Sequence, residues 1–300
     1  MTHIADLLAG AAADSRPTVS FEFFPPKSEE AAAALDRTLT ELSALGPDFI
    51  SVTYGALGST RDTTRDLVIR ANARFDFPAM AHLTCVGHTT NQIDELLAAY
   101  RAGGVDNILA LGGDPPADGS NPGGDFEHAS DLVAAVRAAG HFGVGVAAHP
   151  ELHPRSNGDR QADRKNLAAK LEVADFAITQ FFFDVDHFLR MRDELASLGA
   201  DKPVIPGIMP FISVPGVRRM AAMNGTAIPA RLDDELESVD GDSDATKALG
   251  VEVAVEQAER LVREGVAGIH LYALNKAESV RAIVAALGLR PTPASHRPRR

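Results

Sequence analysis

Short apolar runs alternate with amphipathic segments along almost the whole chain. The runs are rich in β-branched and aromatic residues and end at glycine, proline or a polar residue, which predicts buried strands. These strands are predicted at residues 19–24, 49–55, 79–85, 107–114, 143–148, 176–183, 204–210 and 268–275. Between them apolar residues recur at helical spacing, which predicts helices over 28–46, 63–74, 91–102, 128–139, 163–174, 186–198, 214–223, 246–264 and 278–287.

Strands that alternate with helices pair in parallel through right-handed crossovers. About eight such units, without a composition break, predict an α/β fold with one domain, the (β/α)8 or TIM barrel. A doubly wound sheet would need a glycine fingerprint after the first strand, where this chain has Pro25-Pro26. We expect an N-terminal arm or short helix over 1–18, the barrel over 19–290 and a disordered basic tail over 291–300. The acidic stretch 224–244 is irregular, with room for a short helix.

Charge and cysteine content restrict which binding partners and which cellular compartment we expect. The net charge of −12 argues against a nucleic acid or an anionic membrane as partner. Cys85 is the one cysteine of the 300 residues, which suits a reducing compartment. The first residues carry Asp6 and Asp14 and no basic segment, and no apolar run approaches the roughly 20 residues that span a bilayer. We therefore expect a cytoplasmic protein, and the sequence leaves its oligomeric state open.

One carboxylate, Glu22, interrupts the first apolar strand. Burial of an ionised glutamate costs several kcal/mol, so its pKa is raised or its charge has a function, unless it faces water from an edge strand. Active sites of these barrels lie at the C-terminal ends of the strands. Polar residues cluster at those predicted ends, which favours a lined pocket over isolated core groups: Glu22, Thr53, Tyr54, His82, Thr84, Asp114, His149, His153, Thr179, Gln180, His270, Tyr272 and Asn275. Glu22 lies deepest, as suits a proton donor.

A metal site is the alternative chemistry for part of this set. His82, Asp114, His149 and His153 could serve a metal-dependent TIM-barrel hydrolase. Pro150 and Pro154 place the last two histidines on a loop, and the chain has no HxH or HExxH motif. We therefore predict no metal. Residues 181–183, three phenylalanines, suit either plain core or the wall of a flat aromatic ligand.

Eight motifs follow one another along the chain: SFEFFPPKSEE, FISVTYGALGSTRDTT, AHLTCVGHT, ILALGGDPP, AHPELHP, ITQFFFD, PVIPGIMP and HLYALNKAE. Together they resemble the methylenetetrahydrofolate reductase family, with a folate- or flavin-binding module without turnover as an alternative. The resemblance covers residues 19–291. It implies a (β/α)8 barrel that reduces 5,10-methylenetetrahydrofolate to 5-methyltetrahydrofolate with NADH or NADPH, and its usual members bind FAD.

The resemblance also implies roles for individual residues. Glu22 matches the acid that opens the methylene bridge. Asp114, Gln180 and Tyr272 match residues at the folate, the first two with catalytic roles. Positions that surround the flavin, or a nicotinamide in its place, are matched by Thr53, His82, His149, His153, Asp163, Asn166 and Lys170.

Two departures concern the flavin. Gly113 and Ala169 stand where the family usually has arginine. Each arginine contributes roughly 1.5–3 kcal/mol to a diphosphate site through charge-assisted hydrogen bonds. We therefore expect hydride to pass directly from NADH or NADPH to the folate, with bound FAD as the alternative.

Overall fold

The computed structural model describes residues 1–55, 60–113 and 122–289. Its strands form one parallel sheet in the order β7-β6-β5-β4-β3-β2-β1-β9-β8. In chain order they are β1 (Thr18–Phe23), β2 (Phe49–Val52), β3 (Ala79–Thr84), β4 (Asn107–Leu111), β5 (Gly143–Ala148), β6 (Phe176–Thr179), β7 (Val204–Ile205), β8 (Gly207–Ile208) and β9 (Gly268–Tyr272).

Helices alternate with these strands, as the hydrophobic periodicity predicts. They are α1 (Ile4–Ala13), α2 (Glu29–Ser43), α3 (Arg61–Arg74), α4 (Thr90–Ala102), α5 (Ala129–Ala138), α6 (Arg160–Val173), α7 (Val185–Ser197), α8 (Val214–Asn224), α9 (Ala230–Ser238), α10 (Ser243–Arg263) and α11 (Ala277–Ala286). None of them is long and apolar enough to cross a membrane.

The sheet closes on itself through a strand that is split by proline. β7 pairs with β6, whereas β8 pairs with β9. Pro206 lies between the two halves and has no N–H to donate, but its carbonyl accepts a hydrogen bond from the backbone N–H of His270 at 3.0 Å. β7 and β8 are thus one barrel strand with a local break, and the predicted (β/α)8 barrel is confirmed.

Helix α1 covers the N-terminal end of the barrel. Its Ile4 and Leu8 are buried in a cluster with Phe49, Met80 and Phe176, which lie near the starts of their strands. Asn107 fixes the helix from β4, because its Oδ1 accepts from the N–H of Ile4 at 2.9 Å and its amide donates to the Thr2 carbonyl at 2.8 Å. The opposite, C-terminal end of the strands is therefore where a ligand can enter.

The predicted strand over 176–183 is too long, since β6 ends at Thr179. Beyond it the N–H of Gln180 still donates to the Ala148 carbonyl of β5, and then the chain turns away. Phe181 and Phe183 pack against α8 and α9, whereas Phe182 joins the main core. The apolar run continues past the strand because these aromatic residues bury themselves against helices outside the barrel wall.

Two glycines in helices make a matched pair that tests the packing. A Cβ at Gly250 in α10 would lie too close to the carbonyl oxygen of Phe211, whereas a Cβ at Gly10 in α1 would meet nothing within 4 Å. Alanine favours a helix over glycine by about 1 kcal/mol. We expect Gly10→Ala to raise the free energy of unfolding by about 0.5–1 kcal/mol. Gly250→Ala should lower it by about 1–3 kcal/mol because the added methyl forces α10 away from that backbone. Urea unfolding measures both, and a Gly250→Ala protein as stable as the parent would contradict this packing.

Candidate active site

The Glu22 side chain lies at the C-terminal end of the barrel. It is the penultimate residue of β1, and in the register it is paired with Ser51 of β2 and with Tyr272, the last residue of β9. Alternate residues of a strand share one face, so Ser20 and Glu22 are on one side while Phe21 and Phe23 pack into the core on the other. Only 6% of the Glu22 surface is exposed. The edge-strand alternative, in which Glu22 faces water, is wrong.

Two imidazoles flank the carboxylate at the same oxygen. Oε2 of Glu22 is 3.4 Å from Nε2 of His82 on β3 and 3.4 Å from Nε2 of His270 on β9. The contact with His270 has hydrogen-bond geometry. The contact with His82 lacks hydrogen-bond geometry, and Nε2 of His82 is buried without a hydrogen-bond partner. No arginine or lysine among the described residues forms an ion pair with Glu22.

Two buried polar atoms on β3 are left for a ligand. The hydroxyl of Thr84, two residues after His82 on the same face of the strand, is also buried without a partner. A buried polar group without a hydrogen bond is rare in a folded protein and marks a place where another molecule supplies the bond. Burial lowers the pKa of His82 to about 4 despite the neighbouring carboxylate, so its ring is neutral at pH 7.

Tyr272 forms the wall beside Glu22. Its hydroxyl donates to the Thr179 carbonyl at 2.8 Å, and its ring contacts the rings of His270 and Phe181 edge to face. Gly207 makes room for this ring, because a Cβ there would lie 2.7 Å from the tyrosine Cε2. Burial and the nearby Glu22 raise the pKa of Tyr272 well above its ordinary value, so the hydroxyl keeps its proton.

Gln180 follows β6 at the same end of the barrel. Its Oε1 accepts from the N–H of Phe181 at 2.9 Å, which orients the amide and leaves its NH2 group to donate to a ligand. Its own N–H donates to Ala148, the residue before His149. The predicted folate contact and the predicted cofactor loop are therefore neighbours.

Arg164 holds the loop between β5 and α6. Its side chain is 2% exposed, and it donates to the carbonyls of His149 at 3.1 Å and Pro150 at 2.7 Å. It also forms ion pairs with Asp163 at 2.6 Å and Glu194 at 2.8 Å. Asp163 in turn accepts from the N–H of His153 at 2.9 Å. The predicted residues His149, His153 and Asp163 are thus brought together by an arginine that the sequence pattern did not single out.

The rings of His149 and His153 lie edge to face, 4.5 Å apart between centroids. Burial and the neighbouring cationic groups lower the pKa of His149 to about 3. Lys170 lies on α6, seven residues after Asp163. It donates to the Ala147 carbonyl at 3.4 Å, and burial lowers its pKa. Asn166 is exposed on α6 between Asp163 and Lys170. Thr53 follows β2, where its carbonyl accepts from the Thr64 hydroxyl at 3.0 Å.

A second tether joins this loop to the segment after α8. The Oε1 of Glu151 accepts from the N–H of Ala227 at 3.1 Å, and the Thr226 hydroxyl donates to the Phe181 carbonyl at 3.3 Å. Burial raises the pKa of Glu151. The stretch that looked irregular in sequence contains α9, whose Leu232 and Leu236 are buried. Neither Glu151 nor Thr226 stood out in the sequence, since both lie outside the predicted strand ends.

The turn after β4 excludes a side chain at Gly113. This residue has φ of +83°, and a Cβ there would lie 2.4 Å from the Val86 Cγ1 atom. Arg155 reaches the same turn from the loop after β5 and donates to the Gly113 carbonyl at 3.0 Å. Ala169 is exposed on α6. Asp114 lies outside the described residues, and its predicted role stays a prediction.

The hydrolase alternative finds no support in the part of the chain that the structure describes. No three histidine, cysteine, aspartate or glutamate side chains there are grouped so that they could hold a metal ion. His149 and His153 are neighbours, but His82 lies beside Glu22 instead. Asp114, the fourth residue of that hypothesis, is outside the described ranges.

Comparison with known proteins identifies the family. The family model described as methylenetetrahydrofolate reductase matches residues 7–288. The chain is 39% identical to the 5,10-methylenetetrahydrofolate reductase of Escherichia coli strain K12 over 274 residues, 91% of each chain. It is 35% identical over 300 residues to methylenetetrahydrofolate reductase (NADH) 1 of Arabidopsis thaliana, covering 95% of this chain and 51% of the relative.

A solved structure from Clostridium thermocellum, described as binding two copies of 5-methyl-5,6,7,8-tetrahydrofolic acid, shares the fold. It has a TM-score of 0.67 and 16% identity, and the match covers 94% of this chain and 97% of that one. The sequence matches go further than the fold, since they extend over nearly the whole chain at well above 30% identity. The chain therefore belongs to the methylenetetrahydrofolate reductase family.

Proposed function

We propose that this chain reduces 5,10-methylenetetrahydrofolate to 5-methyltetrahydrofolate by direct hydride transfer from NADH or NADPH, with Glu22 as the general acid. The observation that carries the proposal is the buried Glu22 carboxyl at the C-terminal mouth of the barrel, beside two polar atoms that lack protein partners. The names of plant relatives include NADH, which makes it the donor to test first.

The reaction needs one proton and one hydride. The methylene carbon of the substrate bridges N5 and N10 of the folate. Protonation of N10 lets the C–N10 bond break, and the electron pair of N5 forms a carbon–nitrogen double bond, the 5-iminium ion. Hydride then adds to that carbon and gives the methyl group. The protein must therefore supply a proton at N10 and hold the hydride donor about 3–3.5 Å from the carbon.

Glu22 suits the role of proton donor better than its neighbours. The ring of His82 is neutral at pH 7 because of burial, and the Tyr272 hydroxyl is a very weak acid that is committed to the Thr179 carbonyl. His270 is buried behind the carboxylate, between Ser20 and Ser51. Glu22 has no cationic partner among the described residues, and we assign it the donation of the proton to the leaving nitrogen.

The pterin would lie between Glu22 and Gln180. The free NH2 group of Gln180 can donate to the edge of the pterin, and the ring of Tyr272 gives an apolar wall. The unpaired Thr84 hydroxyl and His82 nitrogen can each bond a ligand on the opposite side. Asp114 is predicted to stabilise the cationic iminium from the turn after β4.

The cationic groups near the predicted cofactor loop support direct transfer over a tightly held flavin. FAD, the usual cofactor of this family, carries a diphosphate that needs several exposed cations. Here Lys170 points inward to the Ala147 carbonyl, Arg164 is used by the loop backbone, and Gly113 and Ala169 offer no guanidinium. Arg155 remains as one exposed guanidinium, and no step proposed here passes through a flavin.

The role of Glu22 is tested by Glu22→Gln. The amide keeps the shape of the side chain but has no acidic proton, so we expect kcat for folate reduction to fall about 10²–10⁴-fold with KM for the folate little changed. Steady-state kinetics with NADH measures both constants. Glu95→Gln, at an exposed position of α4, is the matched control and should leave both unchanged. Near-normal turnover by the Glu22→Gln enzyme would remove Glu22 as the acid.

The neutral state of His82 predicts how stability depends on pH. The pKa of His82 is lowered from 6.5 to about 4 in the folded protein, so between these values the unfolded chain binds a proton that the folded one does not. The free energy of unfolding should therefore fall as pH is lowered through this window, with about 3 kcal/mol attributable to His82. Urea unfolding at several pH values should show a smaller dependence for His82→Gln.

His128→Gln is the control for that experiment. The side chain of His128 is 68% exposed, so its loss should leave the pH dependence of the unfolding free energy as it is in the parent protein. An identical pH dependence in His82→Gln and in the parent would show that His82 is not the group held neutral by folding.

Direct transfer is tested with NADH that carries deuterium at the transferred position of C4. In direct transfer the label goes to the folate methyl group and is retained. Through a reduced flavin the label passes to N5 of the isoalloxazine, where it exchanges with solvent and is diluted. We expect purified protein without flavin absorption bands and a methyl product that contains one deuterium, as measured by mass spectrometry of a single turnover. Flavin bands near stoichiometry together with label lost to water would establish the two-step route instead.

A further inference from the structure

His270 lies beneath the carboxylate of Glu22, completely buried at 0% exposure. Its Nδ1 is 2.7 Å from the Ser20 hydroxyl oxygen. Its Nε2 is 3.3 Å from the Ser51 hydroxyl oxygen and 3.4 Å from Oε2 of Glu22. The ring stacks on Phe49 at 5.9 Å between centroids and 17° between planes. An imidazole held on every side in this way has one orientation.

The contact with Ser20 assigns the proton on the ring. A separation of 2.7 Å is typical of an O–H donor, whereas N–H donors lie nearer 2.9–3.0 Å from oxygen. The other acceptor for this hydroxyl, the Ile269 carbonyl, is more distant at 3.3 Å. The Ser20 hydroxyl therefore donates to Nδ1, and Nε2 carries a proton, which faces Ser51 and Glu22.

We propose that His270 is a positioning residue for Glu22, because its Nε2–H holds the Oε2 atom and leaves Oε1 to carry the transferable proton to the substrate. This inference rests on the proposed role of Glu22 as the acid. Both imidazoles contact Oε2, and no described residue forms a hydrogen bond with Oε1. The two oxygens therefore have different roles in this proposal: Oε2 is held by the protein, and Oε1 faces the substrate.

Polar groups from three strands surround the carboxyl. His82 faces it from β3, His270 and Tyr272 face it from β9, and Ser51 of β2 lies below. The neutral His82 and the protonated Tyr272 hydroxyl add no charge at pH 7. Of the two imidazoles, His270 makes the contact with Oε2 that has hydrogen-bond geometry.

The test compares His270→Leu with His270→Gln in folate reduction by NADH. Leucine fills the space without a donor, whereas the glutamine amide can place an N–H near the position of Nε2. We expect His270→Leu to lower kcat about 10–100-fold with KM for the folate within about threefold, in line with loss of orientation at a general acid. His270→Gln should restore most of kcat.

Ser20→Ala provides a second test that does not remove the ring. Without the serine donor both tautomers of His270 become accessible. Nitrogen-15 NMR of the ring in the parent protein should show a protonated Nε2 and an unprotonated Nδ1, and in Ser20→Ala it should show a mixture. We expect kcat of Ser20→Ala to fall several-fold. This variant decides the matter if His270→Leu fails to fold, as judged by circular dichroism.

The outcomes separate this inference from the proposed function. If the parent protein does not reduce the folate, or if Glu22→Gln remains active, the proposed function is wrong and this inference fails with it. If Glu22→Gln is inactive while His270→Leu and Ser20→Ala keep the parent kcat, His270 has no positioning role and only this inference fails. A loss of kcat in His270→Leu that glutamine does not restore would show a purely structural role and would also overturn it.

Discussion

The site depends on one costly placement, a carboxyl buried at the end of a barrel strand without a cationic partner among the described residues. Removing a carboxylate from water costs several kcal/mol unless other groups replace the lost hydration. Here the Nε2 atoms of His82 and His270 at 3.4 Å replace part of that hydration. In the proposed mechanism Glu22 must donate a proton, and an arginine in place of these imidazoles would favour the ionised carboxylate instead. The lack of a cationic partner among the described residues therefore supports the proposed role of Glu22.

The second group of candidate residues is organised by backbone contacts. Arg164 binds two loop carbonyls and two carboxylates at once, so a loop with two prolines keeps a fixed path with only a short 3-10 turn at Pro154–Ser156. Removal of this buried arginine takes the charged donor away from two carbonyls and from the buried Asp163, which costs several kcal/mol. The hydrogen bond from Ala227 to Glu151 fixes the segment before α9 to the same loop. The loop, α6 and the segment after α8 thus form one connected support.

The sequence predicted the barrel well because hydrophobic periodicity reflects burial. In a parallel barrel, fully buried strands alternate along the chain with helices that are buried on one face. It placed Glu22, His82 and Tyr272 at one end for the same reason, and they lie there. It overextended β6 because the phenylalanines after Thr179 are buried outside the wall, and periodicity does not reveal what buries a residue. Arg164 and Glu151 were missed because their partners, backbone groups and the Glu194 carboxylate, lie on other segments of the chain. Only the folded chain shows such contacts.

The turn at Gly113 shows why a residue-by-residue comparison can mislead about charge. Glycine there suggested that a guanidinium had been lost, and the backbone explains the glycine: its φ is positive and a Cβ would meet Val86. Yet Arg155 reaches the carbonyl of this residue from another loop, so a positive charge lies near the turn after all. An exposed guanidinium gives a weak contact to a diphosphate, since water and salt compete with it. Arg155 is therefore compatible with the proposed direct transfer from a dinucleotide that binds and leaves in each turnover.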